Sequence, residues 1–261
     1  MSGGDGNARS VEREGEEGMW SGDELEDLIT IKLTRRRSVS PATLRKLSEA
    51  FNPLALIPAR DDLIVQGVKS SSCLLLLNGF AARYRLLRNG RRQFTEICLP
   101  GDFVNLGSLL KKRQPQGVVA LTDCRAASIP HARLDRLIDA DGDLVRSLWL
   151  DTLVDGAVSR EWILALGAQS AKERLAWFLC ELYCRLELVG RAKDCCFQLP
   201  MTQAEIADIL GLSTVHVNRV VAELRREGLV EWKEALAHLK DWGALAALAE
   251  FDKAYLESPP E

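Results

Sequence analysis

LPMTQAEIADILGLSTVHVNRVVAELRREGLVEW, from Leu199 to Trp232, decides the fold at the C-terminal end of the chain. Thr202-Gln-Ala-Glu205 fits a capping box: the Thr202 hydroxyl accepts from the Glu205 backbone N–H, and the Glu205 carboxylate reaches back to the cap. Ile206, Ala207, Ile209 and Leu210 are the apolar side of the helix that follows, and Gly211 ends it and permits a tight turn. Ser213 caps a second helix whose inward residues are Val217, Val220, Val221 and Leu224, and which stops near Gly228. Two short helices joined by a glycine-containing turn are the helix-turn-helix plan.

The second helix has an outward face as well. With Val217 inward, Val215, Arg219, Ala222 and Arg226 project to the far side, Asn218 and Arg225 lie beside them, and His216 flanks the other edge. A recognition helix offers its N-terminal turns to base edges in the major groove. Arginine pairs bidentately with guanine and asparagine with adenine, roles open to Arg219 and Asn218. Thr202, Gln203 and the first helix's N-terminal amides are placed to hold phosphate. Ser213, Thr214, Val215 and His216 complete the candidate DNA-binding set. Residues 229–240 (LVEWKEALAHLK) supply two short strands around Lys233 to Ala235, a small wing. An ordinary αα-hairpin with solvated charges has no need of cap, turn, core spacing and wing together, so the expected partner is double-stranded DNA.

Working outward, residues 171–189 read as a helix closed by Gly190, and Asp194 to Leu199 as a short strand. Residues 141–165 form a long helix capped by Asp143, with apolar residues around most of its circumference. Such a helix is buried on several sides: one toward the preceding domain, another, carrying Leu153, toward a second subunit. Between 53 and 130 the composition is that of strands: Leu63 to Val65, Cys73 to Leu77, Ala81 to Leu87, Gln93 to Leu99, Val118 to Leu121 and Cys124 to Ile129. Asn89-Gly90 is expected to make a type I′ hairpin turn, and Leu99-Pro-Gly-Asp102 a second turn. Residues 41–51 are a short amphipathic helix with Leu44, Leu47 and Phe51 on one side.

With 261 residues, 47% of them hydrophobic and 27% charged, the chain has room for one or two ordinary domains, and no apolar run approaches a membrane span. The net charge of −3 conceals two basic and nine acidic residues in 1–30, a basic middle and a mildly acidic C-terminal part. The glycine- and glutamate-rich start is expected to be a disordered acidic tail over 1–30, without a secretory signal. Seven cysteines, an odd number, favour reduced thiols and a cytoplasmic location. No glycine-rich phosphate loop, Ser/His/Asp constellation or zinc spacing supports an enzyme, and the three histidines are dispersed.

Residues 31–257 resemble the Crp/Fnr family of bacterial transcription regulators, most specifically in TQAEIADILGLS and VHVNRVVAELRREGLV. The resemblance implies an α+β architecture: an N-terminal β-roll sensor domain of the double-stranded jelly-roll, cyclic-nucleotide-binding-like type (31–140), a long dimerisation helix (141–167), a winged helix-turn-helix (168–243) and a C-terminal extension (244–261). It also implies a homodimer on two-fold symmetric DNA. VHVNR stands where Glu-Thr-Val-Ser/Gly-Arg is commoner, so the family's recognition glutamate falls on Val215, while Arg219 keeps the family's arginine. Valine cannot accept from cytosine N4 but packs on a thymine methyl. The Gly-Glu and Arg-Ser signatures that hold cyclic nucleotide fall on Gly107-Ser108 and Gln114-Pro115, with Arg113 one residue off, so cyclic nucleotide is not expected to bind. No cysteine precedes Cys73, against an iron–sulfur cluster, and His131 reads as structural rather than as a haem ligand. No cofactor is expected, and the effector stays open. Cys180, Cys184, Cys195 and Cys196 read as apolar packing or as a thiol sensor. Arg83, Arg85, Arg88, Arg91 and Arg92 gather around the Asn-Gly hairpin as a solvated tip, an anion site, or a contact to RNA polymerase or flanking DNA. The competing function is a cyclic-nucleotide-type sensor or scaffold that works through protein contacts and carries a degenerate DNA domain.

Overall fold

The computed structural model of the chain describes residues 22–34, 39–53 and 56–257. Helices α1 (Gly22–Thr34) and α2 (Pro41–Glu49) lead into strands β1 (Asn52–Pro53), β2 (Asp62–Ile64), β3 (Ser72–Asn78), β4 (Ala81–Leu86) and β5 (Arg92–Cys98). A single helical turn, α3 (Ser108–Lys111), precedes β6 (Gly117–Ala120) and β7 (Arg125–Pro130). Then come α4 (His131–Ala140), α5 (Gly142–Ala168) and α6 (Ala171–Leu188). The C-terminal part holds β8 (Ala192–Lys193), β9 (Cys196–Gln198), α7 (Gln203–Leu210), α8 (Thr214–Arg226), β10 (Val230–Lys233), β11 (Leu236–Leu239), α9 (Trp242–Leu248) and a 3₁₀ turn, Lys253–Leu256. No helix among the described residues is long and apolar enough to cross a membrane.

Two antiparallel sheets, β1-β7-β3 and β2-β6-β4-β5, form the roll. Small side chains line the space between them: Ala81, Cys98, Ala120 and Cys124 pack with Leu74, Leu76, Val104 and Val118. The outer face of the first sheet is covered by α1, α2 and α4, through Cys73, Leu75, Leu77, Ala127 and Ile129. The outer face of the second, with Ala82, Tyr84, Ile97, Leu99 and Val119, joins α5, α6 and the helix-turn-helix in one continuous core. Burial on both faces explains the unbroken apolar run of β3.

Several expectations are corrected. The acidic tail gives way at Gly22 to α1, whose Leu25, Leu28, Ile29 and Leu33 lie on one buried stripe; residues 1–21 lie outside the described residues. The long helix is capped by Asp141, which accepts from Asp143 N and Leu144 N, because only the residue before the first turn has the extended backbone of a cap. Of Asn89-Gly90 only the glycine takes a positive φ (80°). Gly90 N donates to Leu87 O (2.9 Å) and Leu87 N to Arg91 O (2.8 Å), a longer connection than the two-residue type I′ turn expected. The supposed C-terminal extension folds back through α9, burying Leu245, Ala249 and Leu256 in the main core.

Buried charge joins the roll to the C-terminal part. Asp102 accepts from Lys32 Nζ of α1 (2.6 Å), Arg185 Nη2 of α6 (2.7 Å) and Leu99 N (2.8 Å). Arg185 also donates to Glu181 (2.7 Å) and to the Ile97 carbonyl of β5 (2.9 Å), and Trp162 Nε1 of α5 donates to Glu181 (2.8 Å). Lys32 stands 3.3 Å from Asp151, and Arg83 meets Glu96 (3.0 Å) and Asp155 (3.6 Å). Burial alone would raise the Asp102 carboxyl, but Lys32 and Arg185 outweigh it and hold the group well below the usual carboxylate range. Asp155 goes the other way: burial first, then Asp151 and Glu96 push it up to about 8 against the pull of Arg83.

Two outcomes follow from this network. Asp102→Ala leaves Lys32 and Arg185 buried with less compensation and should cost about 3–5 kcal/mol in urea unfolding; a loss below about 1 kcal/mol would mean that exposed-pair energetics apply instead. Asp155 holds its proton when folded between the ordinary value of 3.8 and about 8, so its contribution to stability declines as pH rises through that window. The thermal midpoint of Asp155→Asn relative to the unaltered protein should therefore rise from pH 5 to pH 8.5, and a pH-independent difference would refute the assignment.

Candidate nucleic-acid interface

The capping box at the start of α7 forms as expected. Thr202 Oγ1 accepts from Glu205 N (3.2 Å), and Thr202 N donates to Glu205 Oε2 (2.7 Å). Thr202 Oγ1 also donates to Glu205 Oε2 (2.9 Å), so its hydroxyl hydrogen is committed within the cap. Gln203, half-buried, opens the first turn. Gly211 ends α7 in the left-handed region (φ 63°), which a side chain would strain. Ser213 caps α8, accepting from His216 N (3.3 Å).

Val217, Val220, Val221 and Leu224 are buried against the rest of the domain. The outward side is Thr214, Val215, Asn218, Arg219, Ala222, Arg225 and Arg226, all exposed, with Val215 at 79%. His216 is half-buried, and its Nε2 lies 2.7 Å from Arg219 Nη2. Glu223, one turn on, stands 3.9 Å from Arg219 Nε. Arg219 is thus flanked along the helix axis by an imidazole and a carboxylate.

The wing is the hairpin β10–β11, extended by β9 and β8 into a four-stranded sheet. Sequence reasoning found the wing but not its supports. Arg225 of α8 donates to the Trp232 carbonyl of β10. Glu231 takes Lys233 (2.6 Å) and Lys240 (2.9 Å), whose hydrogen bonds and charges hold its carboxyl down to about 2. The clustering of Lys233 and Lys240 around Glu231 was visible in the sequence only as mixed charge.

The remaining candidates are dispersed. Ser108 is fully buried, its Oγ 2.9 Å from His131 Nε2, so His131 is a structural histidine. Gln114 Nε2 donates to the Asn105 carbonyl (3.2 Å), and the exposed Arg113 donates to the Gly67 carbonyl (3.0 Å). The arginine cluster divides along the strand, because Arg83 lies within the sheet, opposite Glu96, while Arg85 lies near the exposed hairpin tip. Arg83 turns inward to its carboxylates; Arg92 pairs with Asp62 (3.1 Å) and lies over the Tyr84 ring (4.4 Å); Arg85, Arg88 and Arg91 stay exposed at the tip. Burial pushes the Cys180 and Cys195 thiols up and Cys184 to about 12, which leaves little thiolate for redox chemistry. Among the described residues no three His, Cys, Asp or Glu side chains are grouped to hold a metal ion.

Two family models match the chain: a Crp-like helix-turn-helix domain over residues 173–248 and a cyclic nucleotide-binding domain over residues 56–141. A probable transcriptional activator of Rhizobium leguminosarum bv. viciae is 32% identical over 174 residues, 67% of this chain and 71% of that protein. The nitrogen fixation regulation protein FixK of Bradyrhizobium diazoefficiens is 33% identical over 177 residues, 67% of this chain and 72% of that one. Among solved structures, FixK2 from Bradyrhizobium japonicum superposes with a TM-score of 0.68 at 25% identity, covering 76% of this chain and 96% of its own. Roll, long helix and winged helix-turn-helix, with relatives of this closeness, place the chain in the Crp/Fnr family, whose members are transcription regulators and not enzymes.

Proposed function

We propose that the chain is a homodimeric, sequence-specific, double-stranded DNA-binding regulator of transcription in the cytoplasm. It lays α8 in the major groove and needs no cyclic nucleotide. The observation that carries this reading is the two-sided character of α8: one face buried in the domain, the other presenting Val215, Asn218 and Arg219 to solvent beside a wing. Val215 favours a thymine methyl, Arg219 a guanine and Asn218 an adenine. Ser213, Thr214 and His216 stand at the N-terminal end of α8, and they, Gln203 and the amide end of α7 supply phosphate or base contacts; Thr202 acts through the cap it builds.

Dimerisation is supported by α5. One face of it, with Leu148, Val154, Val158 and Trp162, is buried within the chain. The opposite face exposes Val145, Trp149 (65%), Leu153 (52%) and Ile163 (70%), with Gly156 and Ala157 at mid-length allowing close approach. Apolar side chains of this size on one helix face fit a second copy of the same helix. The absence of cyclic nucleotide is supported by Ser108, spent on His131, and by Arg113, spent on the surface at Gly67. The exposed Arg85, Arg88 and Arg91, beside Leu86 and Leu87, suit a contact to RNA polymerase.

Selection of bound sequences from random duplex DNA, with no ligand added, should enrich a two-fold symmetric site; no enrichment would refute ligand-free binding. On that site Arg219→Ala should cost about 1–3 kcal/mol and relax base choice at one position per half-site. Unchanged affinity would put α8 outside the groove. Leu153→Glu should shift sedimentation toward the monomer, because the dimer would bury an unpaired carboxylate; an unaltered dimer would move the seam away from α5.

A further inference from the structure

The joint between α5 and α6, with the first turn of α6, holds the C-terminal ends of α7, α8 and α9. Arg174, in the first turn of α6, donates from Nε to the Ala165 carbonyl (3.1 Å) and from Nη2 to those of Leu166 (3.2 Å) and Gln169 (3.0 Å), all at the end of α5. From Nη1 it donates to the Leu210 carbonyl (2.6 Å), the last residue of α7. Lys172 bonds Glu227 (2.6 Å), the C-cap of α8, and Gln169 Nε2 donates to the Ala249 carbonyl (2.9 Å), the C-cap of α9.

The last carbonyls of a helix have no partner within it, and they carry the negative end of its dipole. A cation that donates to the ends of two helices satisfies both and fixes their relative position. Arginine suits this task because its donors form a rigid fork, whereas lysine offers one point of charge. Gly211 lies beside this contact; a Cβ there would make only ordinary contacts, 3.5 Å from Leu166 Cδ2 and 3.8 Å from Arg174 Nη1, so the glycine answers to its positive φ rather than to lack of space. Leu210 ends α7 only four residues before Thr214 opens α8, so Arg174 holds the turn that leads directly into the reading end of α8. Loosening that hold shifts the base-contacting residues with it.

We propose that Arg174 is a positioning residue for operator recognition. By pinning the C-terminal end of α7 to the last turn of α5, it sets the angle at which each copy presents α8, and so the half-site spacing that the dimer accepts. This rests on the dimeric DNA-binding function proposed above. The residue touches no base; it acts through α7, and its effect falls on spacing rather than on sequence preference.

The experiment uses the full chain and the selected operator, with the spacer between half-sites lengthened or shortened by one base pair. One base pair turns a half-site by about 35° around the duplex. The unaltered protein should lose about tenfold or more in affinity on either altered spacer. Arg174→Met and Arg174→Lys should lose less than about threefold, while their discrimination against a half-site mutated at the Arg219-dependent position stays within about twofold of the unaltered protein, as for uncoupled sites. Thermal unfolding is measured alongside, and if Arg174→Met does not fold, Arg174→Lys decides. A retained spacing penalty overturns the proposal. So does a parallel loss of spacing and base discrimination, which would make Arg174 only a stability residue. If the unaltered protein selects no two-fold site, the DNA-binding function itself fails, and the clamp with it.

Discussion

The carboxylate of Asp102 is the point on which the arrangement of the chain depends. It lies in a turn whose Gly101 takes φ 91° and packs so near α6 that a Cβ would meet Val189 Cγ1 at 3.1 Å. From there it draws in an ammonium from α1 and a guanidinium from α6. Neither cation is buried at acceptable cost without such a partner, and the carboxylate is equally committed to them. Helix α6 is thus tied to the roll through Arg185, and to α5 through Arg174, two anchors about 16 Å apart along one helix. Through these two arginines α6, on which the C-terminal part packs, is fixed to both of its neighbours.

The packing makes the same division. The space between the two roll sheets holds alanine, cysteine and valine around Leu74 and Leu76, whereas the aromatic side chains of the roll, such as Tyr84 and Phe103, belong to the cores on the outer faces. The roll therefore serves as a two-sided platform. Its first sheet carries α1, α2 and α4; its second carries α5, α6 and, at its edge, α7, where Gln93 Nε2 donates to the Asp208 carbonyl (3.2 Å). Because the second sheet and the helix-turn-helix share one apolar core, rotating the reading head away from the roll exposes part of that core to water. The position of the head is coupled to the sheet by hydrophobic area as well as by charge.

What could be read in the sequence was local. The helix-turn-helix was legible because every signal for it acts within four residues: Thr202 on Glu205, Ser213 on His216, Gly211 at its left-handed position, and valines three and four apart. The roll strands were legible from the turns between them. What escaped lay in pairings without a local signature. Asp102 and Arg185 are 83 residues apart, and no spacing rule connects them. The commitment of Arg83 to Glu96 appears only once β4 and β5 are paired, which sets the two residues opposite each other. Helix α1 was hidden because glycine and glutamate dominate the residues before it, although Leu25, Leu28, Ile29 and Leu33 already held a helical stripe. Ser170-Ala-Lys-Glu173, by contrast, is a capping box as plain as Thr202 to Glu205 and marks the hinge to the residue.

The same logic bears on how a regulator of this build would be set. In the proposed function the roll takes no cyclic nucleotide, and the polar side chains that stand at the family's ligand signatures are used internally, Ser108 on His131 and Gln114 on the Asn105 carbonyl. A domain whose ligand-facing groups are satisfied by one another does not need a ligand to hold its shape. Helix α5 is held to the roll by fixed charge: Lys32 reaches Asp102 and lies beside Asp151, and Asp155 sits among Asp151, Glu96 and Arg83. Asp155 lies on the side of α5 turned to the roll, with Asp151, Val158 and Trp162, so the charge network and the exposed apolar face of Val145, Trp149, Leu153 and Ile163 occupy different sides of one helix.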